Sequence, residues 1–377
     1  MQYEHADLVV VGGGILGACV AWQAARQKLS VLLLDQARPG SSRTCLRPLR
    51  LAGPHPGRVE LALQAARAWA ELESDALETL VLRTGSLELG PREGPRLAAC
   101  REALDLHLVP YENLEGAELR ARFPQFAPRP DTAALHQPDG GLLAAGRALR
   151  AAWKAARSRG AQARVDTRVR FLDLDYERPT AVAGDTVFRG RAMVVAPGPW
   201  LGSLLPDAAP RLALRREHLG RFRPERPELF TPDRFPGFTL QEGDTLLSGL
   251  AGPAGDALTC WRPGGATDEE PGRVPPEGPD PREVDRLRAL LRDWIPGAAA
   301  GTLPGETDLV AVAPDGELLL GPLPVRDDMV VAGGLAGSAF QLAPRVAELA
   351  VHLARGEGAR FDLERYSLKR PALQDEG

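Results

Sequence analysis

The sequence predicts a mixed α/β fold with a second domain that contains an antiparallel sheet, and three observations indicate it. Near the N-terminus, "DLVVVG", "ILGACVAWQAARQK" and "SVLLLD" follow one another as a buried strand, a helix and a second buried strand. "RAMVVAPG" and "DDMVVAGG" have the composition of further buried strands. From about Arg211 to Gly249, alternating segments such as "GFTLQ" and "TLLSG" are typical of antiparallel strands exposed on one face.

Apolar periodicity predicts the longer helices. They are expected over Val59 to Leu77, over Ala144 to Arg159 and within "EVDRLRALLRDWIPG". The last helix is predicted in "PRVAELAVHLARG", opening with Pro344 near its first turn and closing at Gly356. Arg262 to Glu283 is rich in proline, glycine and charge, so we expect an irregular surface loop there, with a lid as the alternative.

Composition favours a small-molecule partner over nucleic acid. The 377 residues carry 46 basic and 50 acidic side chains, a formal net charge of -4, with no long run of either sign. The apolar stretch from Leu8 to Cys19 follows Glu4 and Asp7, where a signal peptide would carry basic residues. We therefore expect no membrane insertion.

The cysteines are few and widely spaced. No C-x-x-C spacing occurs, so the sequence indicates neither a zinc site nor a disulfide framework, and a cytoplasmic location fits best. The four positions are Cys19, Cys45, Cys100 and Cys260.

A glycine loop lies between the first strand and the first helix. Gly12, Gly14 and Gly17 form G-x-G-x-x-G, and Ile15 opens the helix, whose N-terminal N–H groups suit a diphosphate. Asp35 ends the second strand, where its carboxylate can accept both hydroxyls of an adenosine ribose. The motif predicts a dinucleotide site without separating FAD from NAD, and the alternative is that the glycines only tighten the turn.

Further short motifs follow in order along the chain. They are "SSRTCLRPLR", "GGLL", "VVAPGPW" at 194–200, "FPGF" at 235–238, "WIPG" at 294–297, "AGGLAGSAFQLAP" at 332–344 and "RPAL" at 370–373. With the glycine loop, this order resembles the monomeric sarcosine oxidase branch of the D-amino-acid-oxidase-like flavoproteins. The resemblance implies a Rossmann-like FAD-binding domain in discontinuous segments, 1–82, 141–212 and 305–377. It places an antiparallel-sheet substrate domain at 83–140 and 213–304.

The resemblance also assigns residues to FAD. Those expected to bind it, beyond the glycine loop and Asp35, are Ser42, Arg43, Arg47, Ala196, Gly198, Trp200, Gly334, Gly337, Ala339, Phe340 and Gln341. Covalent members of this branch attach the flavin methyl to a cysteine, whose equivalent position here is Asp308. No cysteine follows Cys260, so we expect FAD to bind without a covalent bond.

The substrate site is expected around Arg50. Arg47 and Arg50 resemble the arginine pair of sarcosine oxidases, in which the second arginine holds the substrate carboxylate through a bidentate fork. The alternative for Arg50 is a surface arginine or an interdomain ion pair. Gln341 is similar in position to a second carboxylate-binding lysine. It supplies a hydrogen bond without charge, so the substrate is expected to be less acidic than sarcosine or held differently.

Two more positions concern the chemistry above the flavin. Thr259 stands where the resemblance implies a lysine that promotes reaction with oxygen, and Arg262 is the alternative source of that charge. A fixed cation stabilises developing superoxide, so its loss is expected to slow oxygen reduction. His218, on a strand expected to floor the pocket, is the histidine we would place near the substrate, against the alternative of a satisfied or exposed histidine.

The resemblance implies an FAD-dependent oxidoreductase. We expect it to take a hydride from the carbon beside the nitrogen of a secondary or N-alkylated amino acid or related amine, giving an imine, with O2 as the acceptor. One alternative is a dehydrogenase of the same fold that passes electrons to a quinone or protein acceptor. Another is a flavin-binding protein without turnover.

Overall fold

The computed structural model describes residues 2–37, 46–206, 212–270, 277–334, 339–358 and 361–373. The helices are α1 (Ile15–Arg26), α2 (Pro56–Ala76), α3 (Pro95–Leu106), α4 (Gly116–Arg122), α5 (Ala145–Ser158), α6 (Leu201–Leu204), α7 (Pro281–Trp294) and α8 (Ala339–Ala354). The strands as far as residue 195 are β1 (Gln2–Val11), β2 (Val31–Leu34), β3 (Arg47–Leu49), β4 (Val81–Arg83), β5 (Ser86–Pro91), β6 (Glu112–Glu115), β7 (Thr132–Gln137), β8 (Gly141–Leu143), β9 (Gln162–Arg164), β10 (Phe171–Asp173), β11 (Thr180–Ala183) and β12 (Thr186–Val195). Those that follow are β13 (Ala213–Arg223), β14 (Gly237–Glu242), β15 (Thr245–Ala251), β16 (Leu258–Trp261), β17 (Thr267–Asp268), β18 (Gly301–Val312), β19 (Leu319–Leu323) and β20 (Arg326–Gly333).

The first sheet has a parallel centre. Its strand order is β10-β11-β12-β1-β2-β9, and β20 pairs in parallel with β12 and antiparallel with β19. The apolar runs of β1, β2, β12 and β20 are buried because helices α1, α2, α5 and α8 pack over one face. Trp22 of α1 and Trp69 of α2 are completely buried in that layer. The predicted α/β class and the N-terminal βαβ unit are confirmed.

The second sheet is mostly antiparallel. Its order is β17-β13-β16-β15-β14-β5-β7-β6, and β18 pairs along β13. The predicted antiparallel sheet is confirmed, with one parallel pair, β14 and β5. They come from segments more than a hundred residues apart, so no hairpin constrains their direction. One face of this sheet packs on α7, and the other carries the polar residues described below.

A small sheet, β3-β8-β4, is also antiparallel. The predicted domain boundary between residues 304 and 305 falls inside β18, which pairs with the second sheet over most of its length. β19 and β20 belong to the first sheet. The segment assignment therefore stays a prediction, with β18 as the strand that crosses between its parts.

Two predicted boundaries are wrong. Helix α8 begins at Ala339, five residues before Pro344, which lies inside the helix. At this position proline leaves the carbonyl of Phe340 without its i+4 N–H partner, which costs the helix one hydrogen bond one turn after its start. The predicted irregular segment from Arg262 contains the two-residue strand β17, paired with β13, and α7 begins at Pro281.

Candidate FAD and substrate site

The turn between β1 and α1 is built from close backbone approaches. Gly12 has φ +107°, and a Cβ there would overlap the carbonyl group of Ala196 at the end of β12. A Cβ on Gly17 would overlap the carbonyl oxygen of Gly12. One at Gly13 would lie 2.6 Å from the Trp153 ring and 2.7 Å from Asp35 Cβ. The turn therefore excludes a Cβ at Gly12, Gly13 and Gly17, so its backbone stays compact.

Helix α1 begins against this turn without a capping side chain. Its N-cap is Gly14, no side-chain oxygen bonds to the first turn, and no acidic residue lies in it. The helix dipole is therefore not compensated by the protein's own carboxylates, which favours an anion at this end.

A cleft of about 830 Å³ runs over the turn along the carboxyl ends of β1, β2, β12 and β20. Cofactor positions predicted from the sequence line much of it: Gly12, Gly14, Ile15, Asp35, Ala196, Gly198, Trp200 and Gly334. Gly17 lies behind the turn in the helix–strand packing. The far end of the cleft reaches β18 at Leu309, Val310 and Ala311. This is the edge of a parallel sheet at which nucleotides bind.

The end of the cleft near Asp35 includes residues that the sequence did not indicate. Arg164 of β9 makes two hydrogen bonds to Glu4, of 3.1 and 2.6 Å. The N–H of Thr167 donates to the carbonyl of Asp35 at 2.8 Å. These residues reach the cleft because β9 pairs with β2 in parallel. The pairing joins segments about 130 residues apart in sequence and has no local motif.

A buried ion pair lies near the β18 end of the cleft. Arg47 of β3 binds Asp308 of β18, and both side chains are almost fully buried. Asp308 thus occupies the position where the resemblance implies a flavin-linked cysteine, and it serves as a counter-ion for Arg47. Burial raises the pKa of Asp308 above its ordinary value, although Arg47 acts to lower it.

Glu217 lies beside that pair. It is the cross-strand partner of Asp308 between β13 and β18, so the two carboxyl groups share one face of the sheet. Burial raises the pKa of Glu217 to about 7, Arg47 lowers it, and the neighbouring Asp308 raises it further. One arginine therefore faces two carboxyl groups, of which Glu217 is the one poised to hold a proton near neutral pH.

Arg50 connects the two sheets. Its Nη1 donates to Thr239 Oγ1 of β14 and lies 3.5 Å from Ser248 Oγ of β15, and those two hydroxyls are 3.0 Å apart. Its side chain is 19% exposed. Nε and Nη2 have no hydrogen-bond partner within the residues that the structure describes. One edge of the guanidinium is therefore fixed to the second sheet, and the other can form a fork.

Gln341 of α8 meets the backbone of Arg50. Its Oε1 accepts a 2.7 Å hydrogen bond from the Arg50 N–H, and its carbonyl accepts one of 2.8 Å from Trp69 Nε1. Phe340 stacks on Trp69 with ring centroids 5.9 Å apart. Since Oε1 is occupied, the Gln341 amide presents its NH2 group, which has no partner among the described residues.

Glu88 completes the surroundings of Arg50 and was not indicated by the sequence. It lies on β5 in register with Thr239, and its carboxylate is 4.0 Å from Arg50 and 2.8 Å from Arg96 of α3. The sequence analysis assigned no strand to this segment, and an isolated glutamate is usually exposed to solvent. The parallel pairing of β5 with β14 buries it instead.

His218 has the surroundings of the alternative given above, a satisfied histidine, and its placement near the substrate stays a prediction. His218 is 4% exposed, its Nε2 is 3.1 Å from Thr267 Oγ1, and its Nδ1 accepts from the N–H of Asp280, the N-cap of α7. It alternates with Glu217 along β13, so its ring faces away from the Arg47 pair. Burial, followed by the nearby Arg216, lowers the pKa of His218 below its ordinary value.

The remaining predicted residues have separate outcomes. Thr259 is opposite Leu250 on β15, which places it on the same face of the second sheet as Ser248. Arg262 is bound to Glu283 through two contacts, of 2.5 and 2.8 Å, so its charge is already compensated. Ser42, Arg43 and Gly337 lie outside the described residues, and Ala339 is the first residue of α8.

The glycine turn, the uncapped start of α1 and the cleft above them together form a dinucleotide-binding site of the Rossmann type. The sequence model of the FAD dependent oxidoreductase family matches residues 7–353, and the chain belongs to that family. The chain is 27% identical to monomeric sarcosine oxidase from Bacillus sp. (strain B-0618), covering 98% of this chain and 97% of that protein. It is 26% identical to N-methyl-L-tryptophan oxidase from Yersinia pestis (strain Pestoides F), covering 97% and 99%.

Solved structures share the fold. A variant of NikD, described as an unusual amino acid oxidase essential for nikkomycin biosynthesis, superposes with a TM-score of 0.84 at 24% identity, covering 99% of this chain and all of that one. Glycine oxidase from Geobacillus kaustophilus gives a TM-score of 0.82 at 21% identity, covering 97% and 99%.

The residues around the cleft fit FAD independently of the similarity to other proteins. The turn excludes a Cβ at Gly12 and Gly17, the first turn of α1 has no carboxylate, and Asp35 stands at the end of β2. Within the described residues no helix is long and apolar enough to cross a membrane, and no cluster of side chains is suited to hold a metal ion.

The raised pKa of Glu217 predicts that the stability of the protein depends on pH. Because its pKa in the folded protein, about 7, exceeds the ordinary 4.5, the charged form is disfavoured by folding. The wild type should therefore lose stability relative to Glu217→Gln as the pH rises from about 5 through 7, and the difference should level off above pH 8. Thermal unfolding of both proteins between pH 5 and 8.5 measures it.

The exposed Glu118 of α4 provides the matched control. Glu118→Gln should keep a constant offset from the wild type over the same range. A constant offset for Glu217→Gln as well would show that Glu217 is ionised throughout and would contradict the assignment.

Proposed function

We propose that the chain oxidises the bond between carbon and nitrogen in a secondary or N-alkylated amino acid whose carboxylate binds Arg50. The observation that carries this proposal is the half-occupied guanidinium. Nη1 is fixed to Thr239 and Ser248, while Nε and Nη2 have no partner within the described residues. A planar fork with two unpaired donors matches the two oxygens of a carboxylate.

Two relatives support the substrate class. Their names, monomeric sarcosine oxidase and N-methyl-L-tryptophan oxidase, each specify an N-methylated amino acid, and both align over almost the whole chain. The two named substrates share a carboxylate and a secondary amine and differ in their side chains. We therefore assign the shared part to Arg50 and leave the side chain unassigned.

The residues of this chain divide the work between binding and orientation. Arg50 neutralises the substrate carboxylate, and the NH2 group of Gln341 supplies a second, uncharged donor. Thr239 and Ser248 hold the guanidinium so that the fork direction is fixed before substrate arrives. The glycine turn and Asp35 would hold FAD, which would supply the acceptor for the hydride that leaves the carbon beside the amine.

We propose a cytoplasmic location and a small-molecule substrate. Cys19, Cys100 and Cys260 are buried as free thiols, which is consistent with a reducing compartment. No further protein partner is required by the proposed reaction unless electrons leave to an acceptor protein.

Oxygen is the acceptor that the family resemblance implies, and a dehydrogenase is the second candidate. The observation that favours the dehydrogenase is the loss of the expected cation, since position 259 is a threonine and Arg262 is neutralised by Glu283.

A preorganised charge contributes about a hundredfold or more to the reduction of oxygen, so dye reduction should exceed peroxide formation in the wild type. Thr259→Lys should raise the peroxide yield, and a wild-type rate equal for peroxide and dye would exclude the dehydrogenase.

The test of the main proposal is anaerobic bleaching of flavin absorbance. A panel of N-methylated amino acids should include at least one that bleaches the wild-type holoprotein. Arg50→Gln should raise the concentration needed for half-maximal bleaching by about a hundredfold, since removing a charged partner from a buried pair costs about 2 to 5 kcal/mol.

Arg101→Gln is the matched control. Arg101 is a partly exposed arginine of α3 whose Nη2 donates to Asn113 Oδ1 at 3.3 Å, and its replacement should leave bleaching unchanged. Bound FAD should be equal in all three proteins, and Arg50→Gln should lower the unfolding temperature because it breaks the contacts to Thr239 and Ser248. Bleaching by no amine, or equal bleaching by Arg50→Gln, would overturn the proposal.

A further inference from the structure

The charges around Arg50 do not cancel. Glu88 is 3% exposed and lies between two arginines, with Arg50 at 4.0 Å and Arg96 at 2.8 Å. Arg96 is itself 23% exposed, and the hydrophobic surroundings include the buried Cys100. In the part of the chain that the structure describes, the two cations and one anion of this cluster leave one net positive charge in a partly desolvated region, where one more carboxylate would balance it.

Glu88 is also a rival for the substrate. It is the protein's own carboxylate beside the arginine proposed to bind a carboxylate, and it stands in register with Thr239, which anchors the same guanidinium. If Glu88 moved closer to Arg50, its carboxylate would neutralise the guanidinium charge that is proposed to bind the substrate.

Arg96 restrains that movement. Its Nη2 donates to Glu88 Oε2, while the other oxygen, Oε1, is the one 4.0 Å from Arg50. Arg96 is the second residue of α3, and a cation in the first turn of a helix is disfavoured by the helix dipole. Its position is therefore explained by Glu88 and not by the helix. The ion pair holds the glutamate at a distance where it orients Arg50 without binding it directly.

We propose that Glu88 and Arg96 are positioning residues that set the affinity of Arg50 for carboxylates, with Glu88 competing against the ligand and Arg96 holding Glu88 back. The inference rests on the proposed function of Arg50. It predicts effects of opposite sign for two residues of one ion pair, because removing the competitor strengthens ligand binding and removing its restraint weakens it. A pair that only stabilises the fold would weaken binding in both variants.

The probe is acetate, titrated into the holoprotein and followed by the change in the visible absorption of bound FAD. Glu88→Gln should lower the dissociation constant of acetate about tenfold, and Arg96→Gln should raise it about tenfold, each equivalent to about 1.4 kcal/mol. Acetamide, which has the same shape without charge, should bind equally to all proteins. Glu115→Gln, which breaks the exposed 3.0 Å pair with Arg92 on the same sheet, is the matched control and should leave acetate binding unchanged.

The double variant shows whether Arg96 acts through Glu88. In the Glu88→Gln background, Arg96→Gln should change the acetate dissociation constant by less than about threefold, because the group that it restrains is gone. An undiminished tenfold effect would show that Arg96 acts on the ligand directly and would overturn the assignment.

The remaining outcomes are equally decisive. Weaker acetate binding in both Glu88→Gln and Arg96→Gln would overturn the inference. If Glu88→Gln does not accumulate with FAD, Glu88→Asp replaces it, since the shorter carboxylate retracts from Arg50 and should bind acetate at least as tightly as the wild type. If amino acids bleach the flavin but the two variants do not change acetate binding in opposite directions, the proposed function stands and the role of Glu88 and Arg96 is overturned. If no amino acid bleaches the flavin and acetate has no saturable effect, both proposals are overturned.

Discussion

The double attachment of Arg50 is the interaction on which the site depends. Its backbone N–H is bound by Gln341 of α8, which belongs to the helical layer of the first sheet, and its guanidinium is bound by hydroxyls of the second sheet. A single residue thereby fixes the distance between the layer that forms the nucleotide cleft and the sheet that faces it. These two contacts set the orientation of the Nε and Nη2 edge of Arg50 before any ligand binds.

Buried charge in this region is arranged in two sets, each only partly compensated by the described residues. Arg47 faces Asp308 and Glu217, and Arg50 faces Glu88, which is shared with Arg96. The first set has an excess of carboxyl groups and the second has an excess of cations. An uncompensated charge in such a place is costly, so the sign of the excess indicates what each region accepts: a proton beside Arg47 and an anion beside Arg50.

Local sequence predicted the parts of the molecule that depend on local geometry. Gly12 and Gly17 could be assigned because a strand, a tight turn and a helix follow one another without interruption. The start of α8 was misplaced because Pro344 is a typical first-turn residue, whereas the S-x-x-Q spacing of Ser338 and Gln341, typical of a capping box, was not used.

The charged neighbours of Arg50 had no such local signal. Glu88 reaches Arg50 only through the parallel pairing of β5 with β14. The sequence predicted that His218 lies on a strand below the pocket, but it did not predict which face of the strand carries the ring. In the structure that face is the one toward α7. Arg50 and Gln341 were found through a family resemblance that preserves their order along the chain. Their contact, across almost 300 residues, was visible only in the structure.

The central claim is that a carboxylate at Arg50 positions the amine for oxidation. The most direct measurement compares anaerobic flavin reduction of the wild-type holoprotein by an N-methyl amino acid and by its primary amide, which differ only in the group that Arg50 would bind. The account predicts that the acid reduces the flavin about a hundredfold more efficiently. Equal efficiency for acid and amide would contradict it, since the open fork of Arg50 would then have no part in recognition.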